Sequence, residues 1–352
     1  MDTENIIRKI ENSIGKDDVS EQEIWLRIKQ LCTNELQSFI PNTPLKNLTQ
    51  LTEELFAGKK SQNCMPTEFA PLDKLIGGFC EDEFIVVGGR PAMGKTLFLL
   101  QTGLNMSKKY PVLFLSYDLS EYRLICKILS ILSEVEAQNI ANNQLTEDEF
   151  RRLEYAKKEL SNYQLTINAE AYKSIDVLIE YCTQQITNQG IKVIMLDFLQ
   201  MLNYTRFRRY NRDAEMDEIC KKLRNLAREH KVCIIVASSL NRSVEGRSGA
   251  EGKRPQLSDL RESGSIEQMA DKVLLLHRPE YYGIIEDYLG NSLIGILDVI
   301  VAKNSAGITD DIQLRFMGGY GITTLGRDIN ISNNFIDRIK ELGMEVSNDA
   351  PF

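Results

Sequence analysis

Residues 89–96 read Gly-Arg-Pro-Ala-Met-Gly-Lys-Thr, a full match to G-x-x-x-x-G-K-[ST]. Apolar Phe84-Ile85-Val86-Val87 precedes this stretch and Leu97-Phe98-Leu99-Leu100 follows it. A strand, a glycine-rich turn and a helix are the setting in which this motif binds phosphate. Gly89 and Gly94 let the backbone N–H groups face a phosphate chain, and the helix N-terminus adds its positive end. Arg90, Ala92, Met93 and Leu97 complete the contacting segment. Lys95 is placed to reach the outer phosphates and the Thr96 hydroxyl to hold Mg²⁺, so a nucleoside triphosphate with Mg²⁺ is the expected ligand pair. A second element fits the same chemistry. Val193-Ile194-Met195-Leu196-Asp197 is an apolar strand ending in an acid, suited to holding Mg²⁺ beside Thr96. An Asp at a strand end can also simply cap the next turn.

Elements that position these residues follow from periodicity. Strand-length apolar runs fall at 84–88, 112–116, 192–197, 232–238, 272–277 and 296–302. Between them lie helical patterns near 97–109, 121–133, 147–160, 174–188 and 213–230. Such alternation predicts an α/β fold with a mostly parallel central sheet flanked by helices. Strands near 311–316 and 321–324 are expected to be antiparallel. Four regions are expected: a helical N-terminal segment (1–43), a linker helix and linker (44–65), the nucleotide-binding domain (66–326) and a C-terminal tail (327–352).

Bulk composition excludes several classes. The 352 residues carry 43% hydrophobic and 26% charged residues, ordinary for a globular protein. No apolar run approaches the roughly 20 residues that span a bilayer, and the N-terminus is polar and acidic, so a cytoplasmic protein without a membrane partner is expected. The formal net charge of −8 argues against a nucleic-acid-coated surface but leaves room for a local basic channel. Seven cysteines at no C-x-x-C spacing are expected to be reduced and mostly buried. With two histidines in the chain, a His-based metal site is not expected.

Several blocks together carry a resemblance. They are Gly77-Gly78-Phe79, the loop at 89–96, VIMLDFLQML at 193–202, Leu-Asn-Arg-Ser at 240–243, SDLRESGSIEQMAD at 258–271 and LHRPEYY at 276–282. From about residue 66 to 325 the chain resembles the C-terminal, RecA-like motor domain of DnaB replicative helicases. The resemblance implies a RecA-like P-loop NTPase that hydrolyses ATP and self-associates into a ring, usually a hexamer, around single-stranded DNA. It implies DNA contacts from Arg261, Glu262 and Gly264. The stretch after Asp197 adds Arg206, Arg208, Arg209 and Arg212, interleaved with Tyr204, Phe207 and Tyr210, a composition that suits a single strand or a solvated loop alike. Residues 44–57 match the helix that docks on a neighbouring motor domain, although its stripe Leu48, Leu51, Leu55 could equally pack on its own domain. A helicase loader or primase is the implied protein partner.

Three departures from the family fall on hydrolysis. The acid that orients the attacking water is Asp118 where the family has Glu. Ser239 stands where a Gln senses the γ-phosphate. In the family's Lys-x-Arg finger, Lys303 is kept and Ser305 replaces the Arg. A misplacement of about 1 Å at a reacting centre can cost about 10²-fold, and an arginine finger contributes about 10³–10⁵-fold. Intact binding parts with altered hydrolysis parts predict a DNA helicase with slow turnover. The alternative is an ATP-gated single-stranded-DNA-binding or assembly module without robust unwinding. A recombination or clock-type RecA-like ATPase is a third reading, which the block at 258–271 disfavours. The roughly 43 residues before the linker helix are too few for the family's N-terminal domain, which puts ring closure and primase recruitment in question.

Overall fold

The computed structural model describes residues 46–57, 63–170, 172–204, 212–249, 251–260 and 263–325. The expected N-terminal helices, the whole C-terminal tail, Arg206, Arg208, Arg209, Arg261 and Glu262 lie outside the described residues. The chain divides into two compact units, Met1–Ser61 and Gln62–Phe352. In the first, α1 (Leu48–Phe56) forms where the leucine stripe sits, and Leu48 and Phe56 are exposed.

The second unit is built on a sheet whose strands nearly all match apolar runs of the sequence. They are β3 (Phe84–Gly89), β4 (Val112–Ser116), β5 (Leu165–Asn168), β6 (Val193–Asp197), β7 (Cys233–Ser239), β8 (Lys272–His277), β9 (Ile296–Asn304), β10 (Asp311–Phe316) and β11 (Ile322–Thr324). They lie in the order β11-β10-β9-β8-β3-β7-β6-β4-β5. From β8 to β5 all neighbours are parallel, whereas β9, β10 and β11 pair antiparallel. The phosphate-loop strand is thus central, with β7 and β8 on either side. A separate two-stranded ribbon joins β1 (Cys64–Met65) to β2 (Phe79–Cys80) across the short helix α2 (Ala70–Ile76).

Helices cover both faces. They are α3 (Lys95–Ser107), α4 (Glu121–Ser133), α5 (Ala137–Asn142), α6 (Glu147–Glu159), α7 (Ile175–Gln189), α8 (Arg212–His230), α9 (Ser243–Gly246) and α10 (Ser263–Met269). Local signals set their ends. Ser120 accepts from the Arg123 N–H at the start of α4, Thr146 and Glu149 form a reciprocal cap on α6, and Gly190 ends α7 in a left-handed conformation. Alternate strand residues feed two cores. Ile85, Val87, Val193 and Met195 pack with α3 and α4, while Phe84, Val86, Ile194 and Leu196 pack with α7 and α8.

Two expectations need correcting. Cys64 and Cys80 are disulfide-bonded rather than reduced, because the chain between them reverses and pairs them directly across the β1–β2 ribbon. Cys126, Cys182, Cys220 and Cys233 are buried. Antiparallel pairing also begins one strand earlier than expected, at β9. The stretch 283–295 before it contains no helix, and a parallel crossover needs a dozen or more residues, usually helical.

Candidate nucleotide site

β3 ends at Gly89 and α3 begins at Lys95, so the phosphate loop is a tight turn at the C-terminal edge of the sheet. Ala92 and Gly94 both adopt positive φ, 66° and 90°. A methyl on Gly94 would lie 2.8 Å from Cε2 of Phe316, so only glycine fits that turn. Phe316 in turn carries the Arg278 guanidinium 3.9 Å from its ring centroid. Arg278 also donates from Nη1 to the Ala92 carbonyl (3.1 Å) and from its backbone N–H to Met93 Sδ (3.4 Å). Met93 and Leu97 are buried and anchor the loop in the core. Arg278 and Phe316 therefore brace the loop from β8 and β10. Sequence pattern marks neither for this role, although Arg278 belongs to the LHRPEYY block.

Lys95 sits with its ammonium folded into the loop. Nζ donates to the Gly89 carbonyl at 2.7 Å and the Arg90 carbonyl at 3.2 Å. Burial, with the nearby Arg90 charge adding to it, lowers its pKa to about 8 against the opposing pull of Asp197 and Asp118. Next to it, Thr96 Oγ1 donates to Asp197 Oδ2 at 2.7 Å, joining residues 101 positions apart. Burial pushes the Asp197 carboxyl up, while the Thr96 hydrogen bond and Lys95 pull it down. A half-buried hydroxyl and a buried carboxylate beside a desolvated ammonium, at the start of α3, form a donor set that suits Mg²⁺ and a triphosphate.

The remaining residues expected at the site are arranged around it. β4 and β6 pair Ser116 with Asp197, so exposed Asp118 lies two residues past the strand end, close enough to act on both Lys95 and Asp197. Ser239 ends β7 opposite Gly89. Its N–H donates to Gln200 Oε1 (3.2 Å), and Gln200 Nε2 donates to Ser238 Oγ (2.8 Å). A glutamine amide does therefore lie at the β7 end, supplied by a residue that no local pattern singles out. The Arg90 side chain turns away from the loop. It donates from Nε (2.9 Å) and Nη2 (2.6 Å) to Glu245 and from Nη1 to the Leu240 carbonyl (2.9 Å).

Lys303 stands beside Val273 near the start of β8, whereas Gly89 pairs with Leu276. That offset is about 10 Å along the strands with β8 intervening. Its ammonium caps the C-terminal end of α10, donating to the Glu267 carbonyl at 2.7 Å. Ser305 is exposed, and its N–H donates to the Asp271 carbonyl (2.9 Å). Gly264 is exposed in the first turn of α10. Arg212 donates to the Leu202 and Gln200 carbonyls (both 3.0 Å) and to Glu215 (2.8 Å), so these donors are engaged within the fold.

Known proteins share this architecture. The model of the DnaB-like helicase C-terminal domain matches residues 64–322. A probable replicative DNA helicase of Trieres chinensis is 34% identical over 86% of this chain and 67% of its own length. The replicative DNA helicase DnaC of Bacillus subtilis (strain 168) is 32% identical over 81% of this chain and 60% of its own length. The chain thus spans about three fifths to two thirds of these curated relatives. Among solved structures, one ATPase domain superposes with a TM-score of 0.70 at 30% identity, covering 79% of this chain and 97% of that one. A DnaB-like replicative helicase, studied with its primase interactions, gives 0.71 at 28% identity, covering 91% of this chain and 75% of that one. Matched by that family's model over most of its length, this chain belongs to the DnaB-like helicase C-terminal domain family.

Proposed function

We propose that this chain is the ATP-dependent motor of a DnaB-type replicative DNA helicase, binding single-stranded DNA as a ring, with slowed hydrolysis. The observation that carries the reading is the Thr96–Asp197 hydrogen bond beside Lys95, which draws the two elements of a Mg²⁺–triphosphate site together from distant parts of the chain. Gly89, Arg90 and Ala92 to Leu97 hold the phosphates, with backbone N–H groups of the loop as donors. Lys95 exchanges its two carbonyl partners for phosphate oxygens, and Thr96 and Asp197 hold the metal. Mg²⁺ held there would supply charge neutralisation to the outer phosphates. Asp118 orients the attacking water from the β4 edge.

The placement of Lys303 supports action on a neighbour's nucleotide, since it lies far from its own loop. Ser305 beside it has no guanidinium to offer, and a lysine is a point charge without the planar fork of arginine. Slow turnover follows from that pair and from Asp118. Arg261, Glu262 and Gly264 contact the DNA backbone in this reading, joined by Arg206, Arg208 and Arg209, whereas the Arg212 guanidinium is held within the fold. The chain self-associates, as a hexamer by family precedent, and a loader or primase is its protein partner class.

Steady-state ATPase measurement with and without single-stranded DNA, together with strand displacement on a forked duplex, tests the proposal. DNA-stimulated hydrolysis with unwinding supports it. Nucleotide-dependent DNA binding without unwinding selects the ATP-gated binding module instead, the outcome to which Ser305 and Asp118 point. Turnover equal to that of ordinary ring helicases removes the slow-hydrolysis element.

A further inference from the structure

The side chain of Arg90 leaves the nucleotide site and enters a run of polar contacts that leads to the residue before Arg261. Its guanidinium holds the Leu240 carbonyl and the Glu245 carboxylate, and it is nearly buried, with 10% of its side chain exposed. Leu240 pairs with Leu260 in an isolated antiparallel bridge. Beside that bridge the Asn241 N–H donates to the Asp259 carbonyl at 2.7 Å. The Asp259 carboxylate is buried and takes both ends of the Arg247 guanidinium, Nη1 at 3.0 Å and Nη2 in a shorter contact, plus the Gln256 N–H at 2.7 Å. Arg254 pins the same stretch to Asp298 on β9 (3.2 Å) and Asp311 on β10. Leu260 directly precedes Arg261.

Apolar packing follows the same route. A methyl placed on Gly88, the residue before the phosphate loop, would lie 3.1 Å from Leu260 Cδ2 and 3.2 Å from Leu240 Cδ2. The phosphate-loop strand and Leu260, the residue before Arg261, therefore share one close-packed contact, where a displacement on one side must be answered on the other.

We propose that Glu245 and Arg247 are positioning residues that transmit the nucleotide state of the phosphate loop to the DNA-contacting residues that follow Leu260. The inference rests on the function proposed above. Lys95 holds the Arg90 carbonyl in this structure. When that ammonium turns to a phosphate, the Arg90 backbone is released, and its guanidinium carries the shift to Leu240 and Glu245. The Arg247–Asp259 pair then moves the Leu240–Leu260 bridge as one piece. Such a route suits a chain whose β7 ends in Ser239, a side chain too short to report on a phosphate itself.

Coupling between two sites is a free energy and is reciprocal, so it is measured separately from either affinity. The experiment uses the full chain and fluorescence anisotropy of a labelled oligo-dT strand, with and without a slowly hydrolysed ATP analogue plus Mg²⁺. Nucleotide should change the strand's Kd by about 5–150-fold in the unaltered protein. Glu245→Gln and Arg247→Gln should each bring that ratio to within about threefold of one, with the lone affinities for strand and analogue within about threefold of the unaltered protein. The Glu245→Gln/Arg247→Gln double variant should lose no more coupling than either single variant, because both lie on one route. Glu245→Asp, which keeps the charge, should retain most of it. An undiminished ratio in both single variants overturns the inference. So does a fall of more than about tenfold in a lone affinity, which assigns the pair a merely structural role. A strand affinity indifferent to nucleotide in the unaltered protein overturns the inference together with the functional reading beneath it.

Discussion

The lowered pKa of Lys95 should make nucleotide affinity fall with rising pH, by an amount the site itself sets. In the free protein, burial holds the ammonium at about 8 against an ordinary 10.5. Bound phosphate reverses that balance, because a neighbouring anion favours the charged form. Binding above pH 8 therefore requires Lys95 to take up a proton. Its charged fraction falls from about 90% at pH 7 to about 10% at pH 9, so the dissociation constant should rise about tenfold across that interval. The terminal phosphate ionises near pH 6 and contributes little over this range.

Stability carries a matching sign. A folded-state pKa depressed to about 8 gives a contribution that is fully present above 10.5 and lost as pH falls through 8. Nucleotide restores the charged form, so its stabilising effect should be larger at about pH 7 than at about pH 9. Titration of a fluorescent ATP analogue across that range reads the affinity, and calorimetry in buffers of differing ionisation enthalpy reads the proton uptake. Lys95→Arg, whose guanidinium stays charged, should bind more weakly overall yet lose most of the slope. A dissociation constant that is flat or tightens from pH 7 to 9 would refute the assignment of Lys95 as a desolvated phosphate ligand.

Other perturbations address the remaining parts. Ser305→Arg should raise DNA-stimulated ATPase turnover, with about 10³-fold as the scale a full finger supplies; no rise means that the finger position lies elsewhere. Gly94→Ala puts a methyl 2.8 Å from Phe316 in a left-handed backbone, and the roughly 1–2 kcal/mol of backbone penalty alone should weaken analogue binding by about tenfold. Lys272→Met leaves Glu83 buried without its cation and should cost about 3–5 kcal/mol in urea unfolding, most of it recovered by Lys272→Met/Glu83→Leu. Asp197→Asn should reduce the Mg²⁺-dependent part of analogue affinity while sparing the metal-free part, a split visible by titrating with and without chelator.

What the sequence discloses, and what it withholds, divides along a physical line. Residues 112–116 form a strand at the expected bounds because a continuous apolar run between Pro111 and the Ser116–Ser120 turn has nowhere to go but a sheet buried on both faces. β5 escapes the pattern because Leu165–Asn168 is only half-buried at the sheet edge, and four alternating residues carry too little signal. Lys95, Thr96 and Asp197 are legible because their spacing is fixed by one turn and one strand end. Arg90 reads as part of that turn, yet its guanidinium meets Glu245, a partner 155 residues away that no local pattern marks. Lys303 is the same case, since the α10 carbonyl it caps belongs to a helix 36 residues earlier. Backbone cradles are written locally, so a short motif announces them. The side chains that tie such a cradle to the rest of the fold are placed by tertiary contact, as Arg90 is to Glu245, Arg247 to Asp259 and Lys303 to the end of α10.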